Sequence, residues 1–217
     1  MTRPRTRRRD KLPPDPGIRR AIVAAASESV LEQGVQGLSI AAVLDRAQLS
    51  TRAFYRHFES KDQLVTAVFL EMARLERRRL KRKMASAADP VDAVVAWIDG
   101  RLDLAFDENI KSDLRYLSSE AQSQIFASPA LVQPAYAEML KPLVDTLQRG
   151  LLDGVFHDVD PISAAESVQG VVWACTERQW VTGDRERSDV RERALRFCLR
   201  GLGVKAAVIS GIAATGD

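Results

Sequence analysis

Two cysteines and two histidines in 217 residues leave this chain little thiol or metal chemistry. Cys175 and Cys198 stand far apart with no metal-ligand spacing, and read as two buried thiols in a reducing compartment. His57 and His157 fall in no HExxH-type arrangement, and the G-x-S-x-G, P-loop and dinucleotide fingerprints are missing. The carboxylates lie mainly on the polar faces of amphipathic segments. These absences argue against an enzyme on a helical bundle, and no metal or cofactor is expected. No run comes near the roughly eighteen apolar residues of a membrane span. The charged N-terminus lacks the apolar stretch of a secretion signal, so a cytoplasmic location is expected. Convincing strand patterns are lacking, as are internal repeats. The expected class is all-α.

What is present is a globular composition, 46% hydrophobic and 28% charged, long enough to build a core without staples. The net charge of +3 hides a strong asymmetry. Residues 1–86 hold 19 basic and 9 acidic side chains, net +10, while the remainder holds 13 and 20, net −7. A basic first third is expected where one end of a protein meets phosphates. Five arginines crowd the first nine residues, MTRPRTRRR, an arm expected to be disordered when free. Such an arm lies along phosphates, enters a minor groove, or remains a solvated tail that raises nonspecific affinity.

The most informative stretch is Leu38–Leu64, LSIAAVLDRAQLSTRAFYRHFESKDQL. Ser39 is placed to cap a helix in which Ile40, Val43, Leu44 and Ala47 recur at helical spacing. Gln48-Leu49 reads as a turn, and Ser50 caps a second helix expected from Thr51 to about Phe58. Phe54 and Phe58 share one face of it, and Arg52, Tyr55 and Arg56 share roughly the opposite arc. Aromatics inward and arginine and tyrosine outward suit the recognition element of a helix-turn-helix. Ser60 and Gln63 form a capping-box pattern. Lys61 sits in the first turn of the next helix, where its charge opposes the helix dipole and a nearby phosphate would account for it.

This stretch resembles the TetR family of bacterial repressors, through Ala47, Leu49, Ser50, Phe54, Tyr55, His57, Phe58, Lys61 and Leu64. The resemblance covers roughly residues 15–75. It departs in two places: the turn glycine usual in this motif is Gln48, and a small residue usual near the start of the recognition helix is Arg52. The resemblance implies that Thr51, Arg52 and Ala53 approach bases while Ser39, Tyr55, His57 and Lys61 hold phosphates. Ser50 and Arg56 complete the expected DNA-binding set.

Helix punctuation organises the rest. Asp15-Pro16 opens helix 1, which stops at Gly34. Helix 4 runs from Lys61 to about Met84, its basic run Arg77–Lys83 reading as a solvated face. Asp89-Pro90 opens helix 5, to Phe106, with Arg101 inside its apolar stripe. Helix 6 spans about Asp113–Ile125. Ser128-Pro129 opens helix 7, where Pro134 and Pro142 predict a kink or break. Asp160-Pro161 opens helix 8, and Ser188 is expected to cap helix 9. The tail from Val204 is expected to fray.

The expected architecture is therefore a basic arm (1–14), a three-helix DNA-binding domain (15–75), a long helix leading into a larger helical bundle for effector binding and dimerisation (76–203), and a flexible tail (204–217). The resemblance implies a homodimer on a palindromic double-stranded DNA operator, released by a small-molecule effector. Trp97, Arg101, Phe106, Arg115, Tyr116, Phe126 and Tyr136 are the candidate ligand residues. For Arg101 and Arg115 an interhelical salt bridge is the alternative. Trp173, Thr176 and Trp180 form a second face on helix 8 and are the candidates for the dimer interface. The rival to this reading is an architectural DNA-binding protein without an effector, which would not need some 130 further residues with apolar helices of their own.

Overall fold

A computed structural model describes residues 15–110 and 112–214. The arginine-rich arm lies outside the described residues. Every regular element among the described residues is a helix: α1 (Pro16–Gly37), α2 (Ile40–Ala47), α3 (Thr51–Tyr55), α4 (Lys61–Met84), α5 (Pro90–Phe106), α6 (Ser112–Ala127), α7 (Pro129–Leu152), α8 (Pro161–Thr182), α9 (Arg187–Gly201) and α10 (Ala206–Ala214). The chain divides into two compact units between Val68 and Phe69, a point that α4 crosses without interruption.

In the first unit α1, α2, α3 and the opening turns of α4 close over Ile22, Ala26, Val30, Val43, Phe54, Phe58 and Leu64, all essentially inaccessible to solvent. Asp15 caps α1, its carboxylate accepting from the Gly17 N–H at 2.7 Å. At Gly34 the backbone turns to φ 69°, ψ 176°, a conformation open in practice to glycine alone. One further helical turn follows, to Gly37. Arg46 ties α2 to α1 through Glu32 at 2.6 Å and Glu28 at 3.7 Å. The hydroxyl of Ser39, expected to cap α2, makes no capping bond.

Gln48 adopts the left-handed conformation, φ 53° and ψ 45°, that a turn glycine would take. Leu49 N–H then closes the turn onto Leu44 O at 2.9 Å. A left-handed conformation costs a residue with a Cβ roughly 1–2 kcal/mol, part of which glycine returns as unfolded-state entropy. Gln48→Gly is therefore expected to raise stability by about 0.5–1 kcal/mol in urea denaturation. A loss of stability would show that Gln48 makes compensating interactions.

The second unit is built around α5, which packs against α7, α8 and α9. Trp97, Ile98, Leu102 and Leu104 are wholly buried. Arg101 and Asp103 on the same helix are buried as well, and both are answered by charge. Glu76 of α4, itself 0% exposed, accepts from Arg101 at 2.7 Å and from Arg79 at 2.8 Å. Asp103 meets Lys83 at 2.6 Å and Arg187 of α9 at 2.9 Å, and Asp99 meets Arg191 at 2.7 Å. The run Arg77–Lys83 is thus not simply a solvated face. Arg77 pairs with Glu138 at 2.6 Å, and Arg79 and Lys83 turn inward to carboxylates on α4 and α5.

Other helix ends also differ from expectation. The helix α7 continues through Pro134 and Pro142 without a break, Pro142 buried and Pro134 exposed. The cap of α9 is Glu186 rather than Ser188, so Ser188 lies inside the helix. The tail expected to fray forms α10, because Ile209, 1% exposed, and Leu202 give it an apolar anchor beside α9.

Candidate nucleic-acid interface

The helix α3 spans five residues, shorter than the eight the aromatic spacing suggests. After Tyr55 the backbone tightens, with the His57 N–H donating to Phe54 O at 2.8 Å. Ser50 caps the element, its hydroxyl accepting from the Ala53 N–H at 3.3 Å. Such a short helix has no stability of its own. Phe54 and Phe58 hold it, 0% and 1% exposed, their ring centroids 5.7 Å apart. Arg19 of α1 lies over the Phe58 ring at 5.1 Å and closes the pocket from outside.

With those two rings inward, Thr51, Arg52, Tyr55 and Arg56 are exposed, and Ala53 and His57 are half-buried at the edge. Tyr55 is 63% exposed although its ring meets Phe54 edge-on at 5.2 Å. Arg52, Arg56, His57 and Ser50 border a shallow cleft of about 390 Å³, closed on the far side by Asp15 and Ile18 of α1. No local pattern points to those last two; they reach the cleft because the start of α1 lies beside α3.

Ser39 stands exposed at the start of α2, its hydroxyl uncommitted to the cap. The capping pattern before α4 forms with a shift of one residue. Ser60 Oγ accepts from the Gln63 N–H at 3.1 Å, and Gln63 Oε1 accepts from the N–H of Glu59 at 2.6 Å. Lys61 Nζ lies 3.5 Å from the carbonyl of Gln36, near the end of α1. That carbonyl offsets part of the dipole penalty on a first-turn lysine. The exposed set is a short helix with two arginines and a tyrosine outward, flanked by Ser39 and Lys61: hydrogen-bond donors suited to phosphate oxygens and base edges.

Residues 22–68 match the pattern of the family described as bacterial regulatory proteins, tetR family. Those residues carry the pattern of a TetR-family DNA-binding domain. One relative, the HTH-type transcriptional repressor KstR2 of Mycolicibacterium smegmatis, is 21% identical over 88% of this chain and 93% of its own. The transcriptional activator FasR of the same organism is 24% identical, covering 90% of this chain and 87% of its own. The solved structure of RolR in complex with resorcinol shares the fold at a TM-score of 0.63 and 22% identity, over 92% of this chain and 94% of its own. Relatives along most of the chain's length are thus transcriptional regulators. Among the described residues, no helix is long and apolar enough to cross a membrane.

The remaining site candidates scatter. Arg101 is taken by Glu76, and Arg115 donates to the Asp107 carbonyl at the end of α5. Trp97 is core, Phe106 is half-buried, and Tyr116 and Phe126 are 42% and 88% exposed. Tyr136 alone of the seven lines a sizeable groove, between α6, α7 and α8. Its hydroxyl donates to Gln122 Oε1 at 2.5 Å, and burial pushes its pKa up to about 12, so it stays protonated. On α8, Trp173 and Thr176 are buried within this chain's own fold rather than presented outward. Trp180 packs edge-on against Trp173 at 5.3 Å and donates to Leu104 O at 3.3 Å. Helix phase accounts for this: Thr176 and Trp180 fall within about 80° of the buried Val172, so they share its inward side, and Trp180 reaches α5 from there.

Proposed function

We propose that the chain is a ligand-responsive repressor that binds a palindromic operator as a homodimer and is released by a small-molecule effector. The observation that carries the reading is the two-sided α3, its phenylalanines in the core and its arginines and tyrosine facing out. Residues 15–75 are the DNA-reading part and 76–203 the part that senses and pairs. In this reading α3 enters the major groove, where Thr51, Arg52 and Ala53 face base edges. Ser39, Ser50, Tyr55, Arg56, His57 and Lys61 contact phosphates. A five-residue reader specifies few base pairs, and two copies related by a two-fold axis supply the rest.

The pairing face is the outer side of α8 and α9. Phe197 is 68% exposed there, beside a cleft of about 300 Å³ floored by Val168, Val171 and Cys198. A two-fold copy places each Phe197 against the partner's cleft. Effector control is supported by the apolar groove of the second unit, which an architectural DNA-binding protein would not need. KstR2 and RolR–resorcinol support the repressor and small-molecule elements by likeness.

Site selection from a random duplex library tests the assignment of roles. Tyr55→Phe and Lys61→Ala are expected to weaken binding to all sequences about equally. Arg52→Ala is expected to cost about 1–3 kcal/mol and to relax preference at one position per half-site. An unchanged preference in Arg52→Ala removes Arg52 from base reading. Derepression of a reporter placed behind the selected site, when the chain is deleted, supports the repressor assignment; loss of transcription overturns it.

A further inference from the structure

We propose that the groove between α6, α7 and α8 binds an uncharged, mainly apolar molecule carrying a hydroxyl group, and that Gln169 and Trp173 hold that hydroxyl. This rests on the effector-controlled reading and adds the site and the ligand class. The groove encloses about 750 Å³, within the range of small-molecule sites, and its walls include Ile125, Val132, Leu140, Val144 and Ile162. Along its α8 wall two buried polar atoms, Gln169 Oε1 and Trp173 Nε1, find no hydrogen-bond partner among the described residues. The two residues are four apart on one helix, so their side chains stand one turn from each other on the same face. Gln169 is 5% exposed and Trp173 7%. Unsatisfied groups so covered are costly, and a ligand that pairs with them recovers that cost.

Their chemistry narrows the ligand. An indole N–H can only donate, and the Gln169 carbonyl oxygen can only accept. One hydroxyl oxygen satisfies both, accepting from Trp173 and donating to Gln169. With the amide presenting its oxygen, as it does here, a carboxylate has no proton to donate to it, and an ammonium cannot accept from the indole. Charge agrees: Asp145, Glu166 and Lys141 border the groove, two negative against one positive, which disfavours an anion. Both polar atoms belong to side chains that line the groove. Between them on the helix, Gly170 leaves the wall open, since a Cβ there would meet nothing within 4 Å.

The test is competition calorimetry on the full chain with three matched probes, 2-naphthol, 2-methylnaphthalene and 2-naphthoate. The naphthol is expected to bind about tenfold more tightly than its methyl analogue, with the naphthoate weakest. Gln169→Leu should erase the preference for naphthol while leaving methylnaphthalene affinity within about twofold. Gly170→Phe should abolish binding of all three. Equal affinity for naphthol and methylnaphthalene, tightest binding of naphthoate, or no binding at millimolar concentration overturns the proposal, and these outcomes in wild-type protein do not depend on any variant folding. A compound from a library that releases operator equally from wild type and Gly170→Phe leaves effector control standing and sinks this site. Naphthol binding that Gly170→Phe removes, without any effect on operator affinity, supports the site and counts against effector control.

Discussion

Glu76→Ala is expected to destabilise the protein by roughly 3–5 kcal/mol, because it strips the partner from a cation that water cannot reach. Arg101 is 3% exposed and spends its Nη1 on Glu76 at 2.7 Å. Arg79 adds two bonds of 2.8 Å to the same carboxylate. Asp103 remains 3.6 Å from Arg79, so one of the two arginines keeps a counter-charge and Arg101 does not. A pair of apolar replacements at 76 and 101 is expected to recover much of the loss, since desolvation then costs nothing. Urea denaturation at neutral pH measures both. A loss below about 1 kcal/mol for Glu76→Ala would mean that water reaches Arg101 after all.

The same carboxylate gives the stability a pH signature. Burial alone would push the Glu76 pKa up; the Arg79 hydrogen bond and the charges of Arg101 and Arg79 outweigh it and hold it below the ordinary carboxylate value. A folded value below the unfolded one means that the stabilisation is complete above the unfolded pKa, about 4.3, and is lost as pH falls through the folded pKa. The gap in stability between wild type and Glu76→Gln should therefore narrow in acid and stay constant above about pH 6. A gap that widened in acid would reverse the assigned sign.

Phe197→Glu is expected to give a folded monomer that has lost operator binding by two orders of magnitude or more. An aromatic 68% exposed next to an apolar cleft is the kind of anchor whose truncation costs over about 2 kcal/mol at an interface, and a charge in its place adds desolvation. Each half-site complex then forms independently and loses the gain in effective concentration. Trp180→Glu is expected to behave differently. Its indole bonds Leu104 O and packs on Trp173, so the melting temperature should fall before the oligomer changes. Sedimentation with thermal melts separates the two. A dimeric Phe197→Glu with intact DNA binding moves the interface elsewhere.

Local signals in the sequence were read well where the chemistry was local. Asp-Pro pairs at 15–16, 89–90 and 160–161 each cap a helix as expected, and Phe54 and Phe58 face inward at i, i+4. What stayed hidden depends on partners far along the chain. The basic run on α4 looked solvated because Asp103 and Glu138 are 20 or more residues away from the side chains they neutralise. Trp173 and Trp180 looked free because an apolar helix face does not announce whether its own bundle or a second copy covers it. Five residues of α3 read as eight because the Phe54–Phe58 spacing survives in a tightened turn. Of the groove's lining only Tyr136 stood among the ligand candidates, because Gln169 carries no motif and Trp173 read as an interface residue.

The brevity of α3 has a consequence for how such a chain can change its target over evolutionary time. Thr51, Arg52, Tyr55 and Arg56 are exposed, while Phe54 and Phe58 supply the anchorage to the core. Substitutions at the outward four can therefore drift with little penalty to folding, usually within about 0.5 kcal/mol each. On the proposed reading, the element behaves as a replaceable cassette on a fixed mount, able to acquire a new operator one side chain at a time without a destabilised ancestor in between.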